Sequence, residues 1–289
     1  MSEVQANPLE AARQLTAELR QQTQGDLQRK LGELERLIDA ALRRGEGQDA
    51  GELRQRIDEM IATNAQFNSV MVHEIRVPMT SIRGYADMLS KNVVGELNEM
   101  QQQFVETIRS NVIRMEHLVT DISDISKIRS GRIRYDAKMD FYKNIAMQVE
   151  KTHAELAAQH HHTLTFETPD GLPLLNLDSA RLTQALNKLL HNALQYTPDG
   201  GQITVRAERV DSKLKVTVID NGVGMSPDEQ THIGELFWRA DNEHVRSFKG
   251  HGLGLPIAMG FIQQLGGEFF FVSETGKGSQ FGFVVPGSG

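Results

Sequence analysis

Apolar residues recur along the first half of the chain at intervals of three and four. Leu27, Leu31, Leu34, Ile38, Ala41 and Leu42 mark one amphipathic helix, and the glycines of GEGQDAG, 45–51, predict its end. A second series runs from Leu53, Ile57, Met60 and Ile61 through Asn64, Phe67, Val70, Met71, Ile75 and Met79 to Ile82, Ala86 and Leu89. It predicts one long helix over 52–90, bent at Pro78, which lacks an N–H and crowds the carbonyl of Glu74. KNVVGELNE, 91–99, reads as a loop. Phe104, Ile108, Val112, Met115, Leu118, Val119, Ile122, Ile125 and Ile128 then mark a third helix, to about 130. A hairpin of two long helices leaves an apolar stripe uncovered. Pairing two copies into a four-helix bundle would bury it, so a homodimer through residues 52–130 is expected.

Near residue 135 the pattern becomes mixed. Helical stretches at Phe141–Gln159 and Ser179–Tyr196 are interspersed with five strand-like runs: His162–Glu167, Gln202–Arg209, Lys213–Asp220, Glu268–Ser273 and Ser279–Val285. Most are adjacent and separated by turn residues such as Pro198-Asp199-Gly200-Gly201. The expected fold is an antiparallel helical hairpin followed by an α/β sandwich with a mixed sheet covered by helices. The expected domains are a helical or coiled-coil input segment over 1–65, the hairpin over 66–134, and the α/β domain over 135–289.

Composition narrows the functional classes. The 289 residues carry a net charge of −7, which disfavours general nucleic-acid binding. Cysteine is absent, excluding disulfides and thiolate chemistry. No apolar run approaches the roughly 18 residues of a membrane span, and the N-terminus lacks a signal-peptide pattern. A cytoplasmic setting is expected, either as a cytosolic protein or as part of a longer membrane sensor.

Four constellations could carry chemistry. In His73-Glu74-Ile75-Arg76-Val77-Pro78, His73 points away from the apolar stripe, and Glu74 could accept its Nδ1 proton while Nε2 acts as a nucleophile. A solvent-facing helical histidine of no function is the plain alternative. Asp220-Asn221-Gly222-Val223-Gly224-Met225 ends a strand with a carboxylate suited to a purine amino group, or forms an ordinary turn. Lys249-Gly250-His251-Gly252-Leu253-Gly254-Leu255-Pro256 precedes a helical segment, Ile257–Leu265. It reads as a phosphate cradle at a helix N-terminus, or as a flexible cap. Its spacing is that of neither a Walker loop nor a dinucleotide fingerprint. Finally, Asn192 lies beside the apolar face formed by Leu186, Leu189, Leu190 and Ala193, where its carboxamide could ligate Mg²⁺ already held by phosphates.

Taken in this order, the segments resemble the sensor histidine kinases of two-component systems. VHEIRVPMTSIRGYADML resembles the phosphoacceptor H box, and LTQALNKLLHNALQYTPDGG the N box. VIDNGVGM resembles the G1 box, ELFWRAD the F box and GHGLGLPIAMGFIQQLGGE the G2 box, while GKGSQFGFVVP is similar to the closing strand. The resemblance covers about residues 65–286. It implies a dimerisation and phosphotransfer hairpin joined to a Bergerat-type ATP-binding domain, with ATP and Mg²⁺ as cofactors. It makes His73 the phosphoacceptor, Glu74 its base, Asn192 a Mg²⁺ ligand and Asp220 the contact to the adenine amino group. An ATP site is implied at Gln195, Tyr196, Gly222, Gly224, Phe237, Arg239, Lys249, Gly250, His251, Gly252, Leu253 and Gly254, under a mobile lid at about 226–249. The phosphoryl group would pass to an Asp of a separate response regulator, with an upstream sensor partner acting through residues 1–65.

Four positions depart from the family pattern. Val77 replaces the polar residue four positions after the histidine that is implicated in phosphatase activity. Lys188 stands where an earlier N-box Asn is usual, with Asn187 one place off. Gln195 replaces a basic residue, and Gly234 the first F-box aromatic. Arg239, Arg246 and Lys249 are candidates to supply the missing charge. Two alternatives stand beside the kinase reading: an inactive dimeric scaffold, and another ATPase of the gyrase, Hsp90 and MutL type.

Overall fold

The computed structural model describes residues 36, 47–241, 245, 246, 248 and 250–288. The helix expected at 27–42, apart from Arg36, and most of the expected input segment lie outside the described residues. The chain divides into two compact units, Met1–Glu74 and Ile75–Gly289.

Helix α1, Gly47–Ser90, is longer than the apolar pattern predicts, and it continues through Pro78. The glycines expected to break it, Gly47 and Gly51, instead lie in its first turns. A glycine costs a helix only about 1 kcal/mol relative to alanine, which the long apolar stripe behind it outweighs. Helix α2, Glu99–Arg129, opens on a capping box: the Asn98 side chain accepts from the Gln101 N–H, and the Gln101 side chain accepts from the Asn98 N–H.

In the second unit, Met79 and Ala86 of α1 and Val105, Val112 and Val119 of α2 are buried. Arg83 pairs with Glu116 at 2.9 Å and Arg109 with Asp87 at 2.8 Å, tying the two helices across the hairpin. Val77, Ile82 and Tyr85 on α1, and Phe104, Ile108 and Met115 on α2, are exposed in the single chain. They make up the uncovered apolar stripe.

The α/β part contains a five-stranded mixed sheet built from β2 (Thr163–Glu167), β4 (Gln202–Val210), β5 (Lys213–Asp220), β6 (Glu268–Glu274) and β7 (Gly278–Pro286), in the order β2-β4-β5-β7-β6. Only β2 and β4 run parallel; the remaining pairs are antiparallel. Two further strands escaped the sequence pattern: β1, Lys138–Phe141, and β3, Leu174–Leu177, pair with each other in a small separate sheet. Four residues are too few to display an alternation, and Leu174–Leu177 carries three leucines in a row of four.

Helices α3 (Tyr142–Gln159), α4 (Ser179–Tyr196) and α6 (Gly254–Gln264) supply the other half of the core, and α5 (Pro227–Gln230) is a single turn between α4 and α6. Leu182, Leu186, Leu189 and Leu190 of α4 are fully buried, together with Ile203 and Val205 of β4, Leu214 and Val216 of β5, and Ile257 and Phe261 of α6. The side chain of Asp178 caps α4 by accepting from the Arg181 N–H. His162, the last of the triple His160–His162, is buried, with its Nε2 within hydrogen-bond distance of the carbonyls of Thr197 and Pro198. This bond holds the turn after α4 in place.

The C-terminal half of α2 packs on this domain. Ile125 is buried in its core, and Gly260 of α6, lacking a side chain, faces Ile128, whose Cγ2 lies 2.6 Å from where a Cβ would be.

Candidate functional site

Asp220 ends β5 at a point where two strands fix it. Its Oδ1 accepts from the N–H of Gly222 at 2.9 Å and from the N–H of Ser279 at 3.1 Å. Ser279 is its register partner on β7. The side chain is almost fully enclosed, and this burial raises its pKa to about 6, against the two backbone bonds that lower it. With both bonds on Oδ1, Oδ2 is the oxygen available to a ligand.

Asp220 lines a cavity of about 460 Å³. Of the residues singled out in the sequence, Asn192, Gln195, Tyr196, Gly224, Arg239, Gly250, His251, Gly252, Leu253 and Gly254 share that wall. Gly222 and Phe237 do not. Gly222 is a packing residue: a Cβ there would fall 2.4 Å from the carbonyl of Tyr196. The Phe237 side chain is half exposed, and its neighbour Trp238 is the aromatic on the cavity wall, its ring 5.3 Å from that of His232. Lys249 lies outside the described residues. His73 and Glu74 belong to the first unit.

The glycine loop contains a position that only glycine fills without strain. Gly252 has φ +66, and a Cβ there would fall 2.5 Å from the Trp238 carbonyl, while Phe237 donates its N–H to the Gly252 carbonyl at 3.1 Å. The loop delivers the chain to the start of α6. Leu253, the residue capping that helix, offers no side-chain hydrogen bond to its first turn, and Pro256 has no N–H to satisfy. The free N–H groups of that first turn are donors for an anion.

The carboxamide of Asn192 stands beside them, its Oδ1 3.7 Å from the position of a Gly254 Cβ. Among the described residues no cluster of three or more His, Asp or Glu side chains could hold a metal ion. A hard carboxamide oxygen next to a phosphate-binding loop fits Mg²⁺ that draws its remaining ligands from phosphate and water.

Of the cations expected to replace the basic residue lost at Gln195, the two described ones, Arg239 and Arg246, hold partners within the lid segment. Arg239 donates to the carbonyls of Phe248 at 2.8 Å, Gly250 at 3.2 Å and Val245, so it laces the lid backbone together. Arg246 pairs with Asp241. Lys188, not among the expected site residues, lines the cavity and pairs with Asp121 of α2. The α2 residues Arg114, His117, Thr120 and Asp121 form part of the wall, which places one face of the hairpin against the α/β domain. On α4, His191 keeps an exposed edge. Loss of water around its ring, then the neighbouring His153, Lys188 and His117, lower its pKa to about 4.

Sequence reading missed Ser279, Trp238 and Lys188 as parts of this cavity. The first depends on the β5–β7 register and the second on the turn that exposes Phe237. Lys188 was visible only as a departure from the expected motif.

In the first unit, His73 and Glu74 sit side by side on α1, both largely exposed, with His73 Nδ1 3.2 Å from Glu74 Oε1. With Nδ1 donating to Glu74, the ring's lone pair is on Nε2, facing solvent.

Comparison with known proteins bears on both parts. Residues 63–131 match the family model of the His Kinase A (phospho-acceptor) domain. Residues 177–288 match that of the histidine kinase-, DNA gyrase B- and HSP90-like ATPases. The chain is 30% identical over 234 residues to the histidine protein kinase DivJ of Caulobacter vibrioides, covering 79% of this chain and 38% of that one. It is 26% identical over 232 residues to the sensor histidine kinase WalK of Bacillus subtilis, covering 79% of this chain and 38% of WalK. It therefore spans well under half the length of these relatives.

Among solved structures, full-length ShkA in complex with AMPPNP superimposes with a TM-score of 0.67 at 24% identity, over 77% of this chain and 46% of that one. The histidine kinase ThkA in complex with the response regulator TrrA gives 0.54 at 22% identity, over 80% of this chain and 64% of that one. Both have the same fold of helical hairpin and mixed-sheet α/β domain. With the phospho-acceptor and ATPase-type modules matched in series on one chain, the protein belongs to the sensor histidine kinases of two-component systems.

Proposed function

We propose that this chain is an ATP-dependent protein-histidine kinase that phosphorylates itself on His73. Support comes chiefly from one observation: a single cavity gathers the buried carboxylate of Asp220, the carboxamide of Asn192 and the uncapped, glycine-fed N-terminus of α6. Asp220 Oδ2 would accept from the adenine amino group. The N–H groups around Gly252, Leu253 and Gly254 would hold phosphate oxygens, and Asn192 would complete the shell of a Mg²⁺ bound to them. Tyr196, Gln195 and His251 would bound the nucleotide, with the segment around Trp238 and Arg239 as its lid.

In the transfer itself, His73 Nε2 forms a bond to the γ-phosphorus as the bond from that phosphorus to the β,γ-bridging oxygen breaks and ADP leaves. Glu74 takes the Nδ1 proton, so the product ring carries no net positive charge. The phosphoryl group would then pass to an Asp of a separate response regulator. Two copies would pair through the exposed stripe of α1 and α2 within residues 52–130, making the phosphorylated species a homodimer. An upstream partner would act through residues 1–65, and the reaction would draw on ATP of the cytoplasm. Val77, exposed four residues after His73, has no polar atom to orient a water for phosphatase activity toward the regulator.

Incubation of the full chain with radiolabelled ATP and Mg²⁺ tests the reading. The expected product is acid-labile, base-stable label that is lost in His73→Gln. Label retained by His73→Gln, or absent from the wild type, would overturn it.

A further inference from the structure

Lys188 precedes Asn192 by four residues on α4, so the two side chains share one face. The aliphatic stem of Lys188 rests against the start of α6, with its Cδ 4.0 Å from the position of a Gly254 Cβ. Its ammonium is bonded at 2.5 Å to Asp121 Oδ1 on α2, and both side chains are mostly enclosed. Each lines the same cavity. Of the other described cations on that wall, Arg239 donates through its two terminal nitrogens to lid carbonyls, and Arg114 donates to Asn111. Gln195 is neutral. Lys188 is the charged side chain that stands with Asn192 at the Gly254 position, where the Asn192 oxygen lies 3.7 Å away.

We propose that Lys188 is a phosphate ligand of the nucleotide site and that Asp121 competes with the nucleotide for it. This rests on the reading that the cavity binds ATP. A lysine ammonium sits on a flexible four-carbon stem and can change partners without moving its helix. A triphosphate carries more negative charge than one carboxylate, and inside a partly enclosed cavity that difference is weakly screened. Nucleotide capture therefore draws Lys188 off Asp121. The α2 helix loses one polar tie to the ATP-binding domain while its apolar contacts at Ile125 and Ile128 remain. Binding of ATP and loosening of the hairpin from that domain become one linked equilibrium.

The test is titration of the full chain with ATP and with adenosine, the latter having no phosphate. Lys188→Met is expected to weaken ATP roughly tenfold and leave adenosine unchanged, and Lys188→Arg to keep ATP affinity within about threefold. Asp121→Asn is expected to tighten ATP by about threefold or more, and this gain disappears when Lys188→Met is added. If the pair were only a structural tie, Asp121→Asn and Lys188→Met would shift ATP affinity in the same direction. That result, or an equal loss of ATP and adenosine in Lys188→Met, overturns the proposal while leaving the kinase reading intact. Failure of the wild type to bind ATP at all overturns the kinase reading itself, and this inference with it.

Discussion

Asp220→Asn separates what this residue does for the fold from what it does for the ligand. In the native protein Asp220 is only 8% exposed, and the pKa of its carboxyl is raised from 3.8 to about 6. That rise corresponds to about 3 kcal/mol of folding free energy. Between pH 4 and pH 6 the native protein holds a proton that the unfolded chain has already released. The stabilisation is therefore fully present below pH 4 and is lost as pH rises through about 6.

At pH 7.5 the wild type folds with an enclosed, ionised carboxylate, which asparagine avoids. The carboxamide oxygen can still accept from Gly222 and Ser279, while its NH₂ needs a new partner, which offsets part of the gain. The expected net is stabilisation by about 2 kcal/mol at pH 7.5, or about 4–8 °C in Tm, shrinking to nothing near pH 4. The same change puts an NH₂ donor where the adenine amino group needs an acceptor. ATP affinity should fall about 10–100-fold. Denaturant unfolding followed by the single tryptophan, Trp238, reports the stability across pH, and a nucleotide titration reports the affinity. An Asn variant less stable than wild type at pH 7.5, or one that binds ATP with undiminished affinity, refutes the reasoning.

Three further outcomes are expected. Gly252→Ala forces a side chain into a backbone with φ +66 and against the Trp238 carbonyl, and should cost tenfold or more in ATP affinity with little loss of secondary structure by circular dichroism. Phe104→Glu with Ile108→Glu places charges in the exposed apolar stripe of α2, and should convert a dimer to a monomer by light scattering. Chelation of Mg²⁺ should weaken ATP binding in the wild type but change adenosine binding little, and Asn192→Ala should remove most of that Mg²⁺ dependence; an equal chelator effect in Asn192→Ala would count against its role.

Local regularity made much of this protein legible from its residues. Helices α2, α3 and α4 and the five strands of the main sheet follow from periodicities of 3.6 and 2 sustained over several turns or residues, and their observed bounds lie within a residue or two of the pattern. The uncovered stripe of the hairpin was legible for the same reason. Asp220, Asn192 and the glycine loop stood out because carboxylate, carboxamide and alternating glycine are placed at the ends of otherwise apolar elements. The short β1–β3 pair was not legible, because four-residue strands form only through each other.

The division of labour inside the cavity also required tertiary structure. Ser279 reaches Asp220 across 59 residues because β5 and β7 pair in that register, which no local signal encodes. A left-handed residue at Phe237 turns that ring outward and gives the wall to Trp238. Arg239 lines the cavity as the sequence suggests, and the fold adds lid carbonyls around its terminal nitrogens, which no local signal encodes. Lys188 reads as a blemish in a motif until α2 brings Asp121 to within 2.5 Å of it. The sequence by itself determined which elements form and which residue types carry chemistry, since both depend on neighbours in the chain. Which of those residues face one cavity, and which are consumed in holding it together, was decided by packing between segments far apart in the chain.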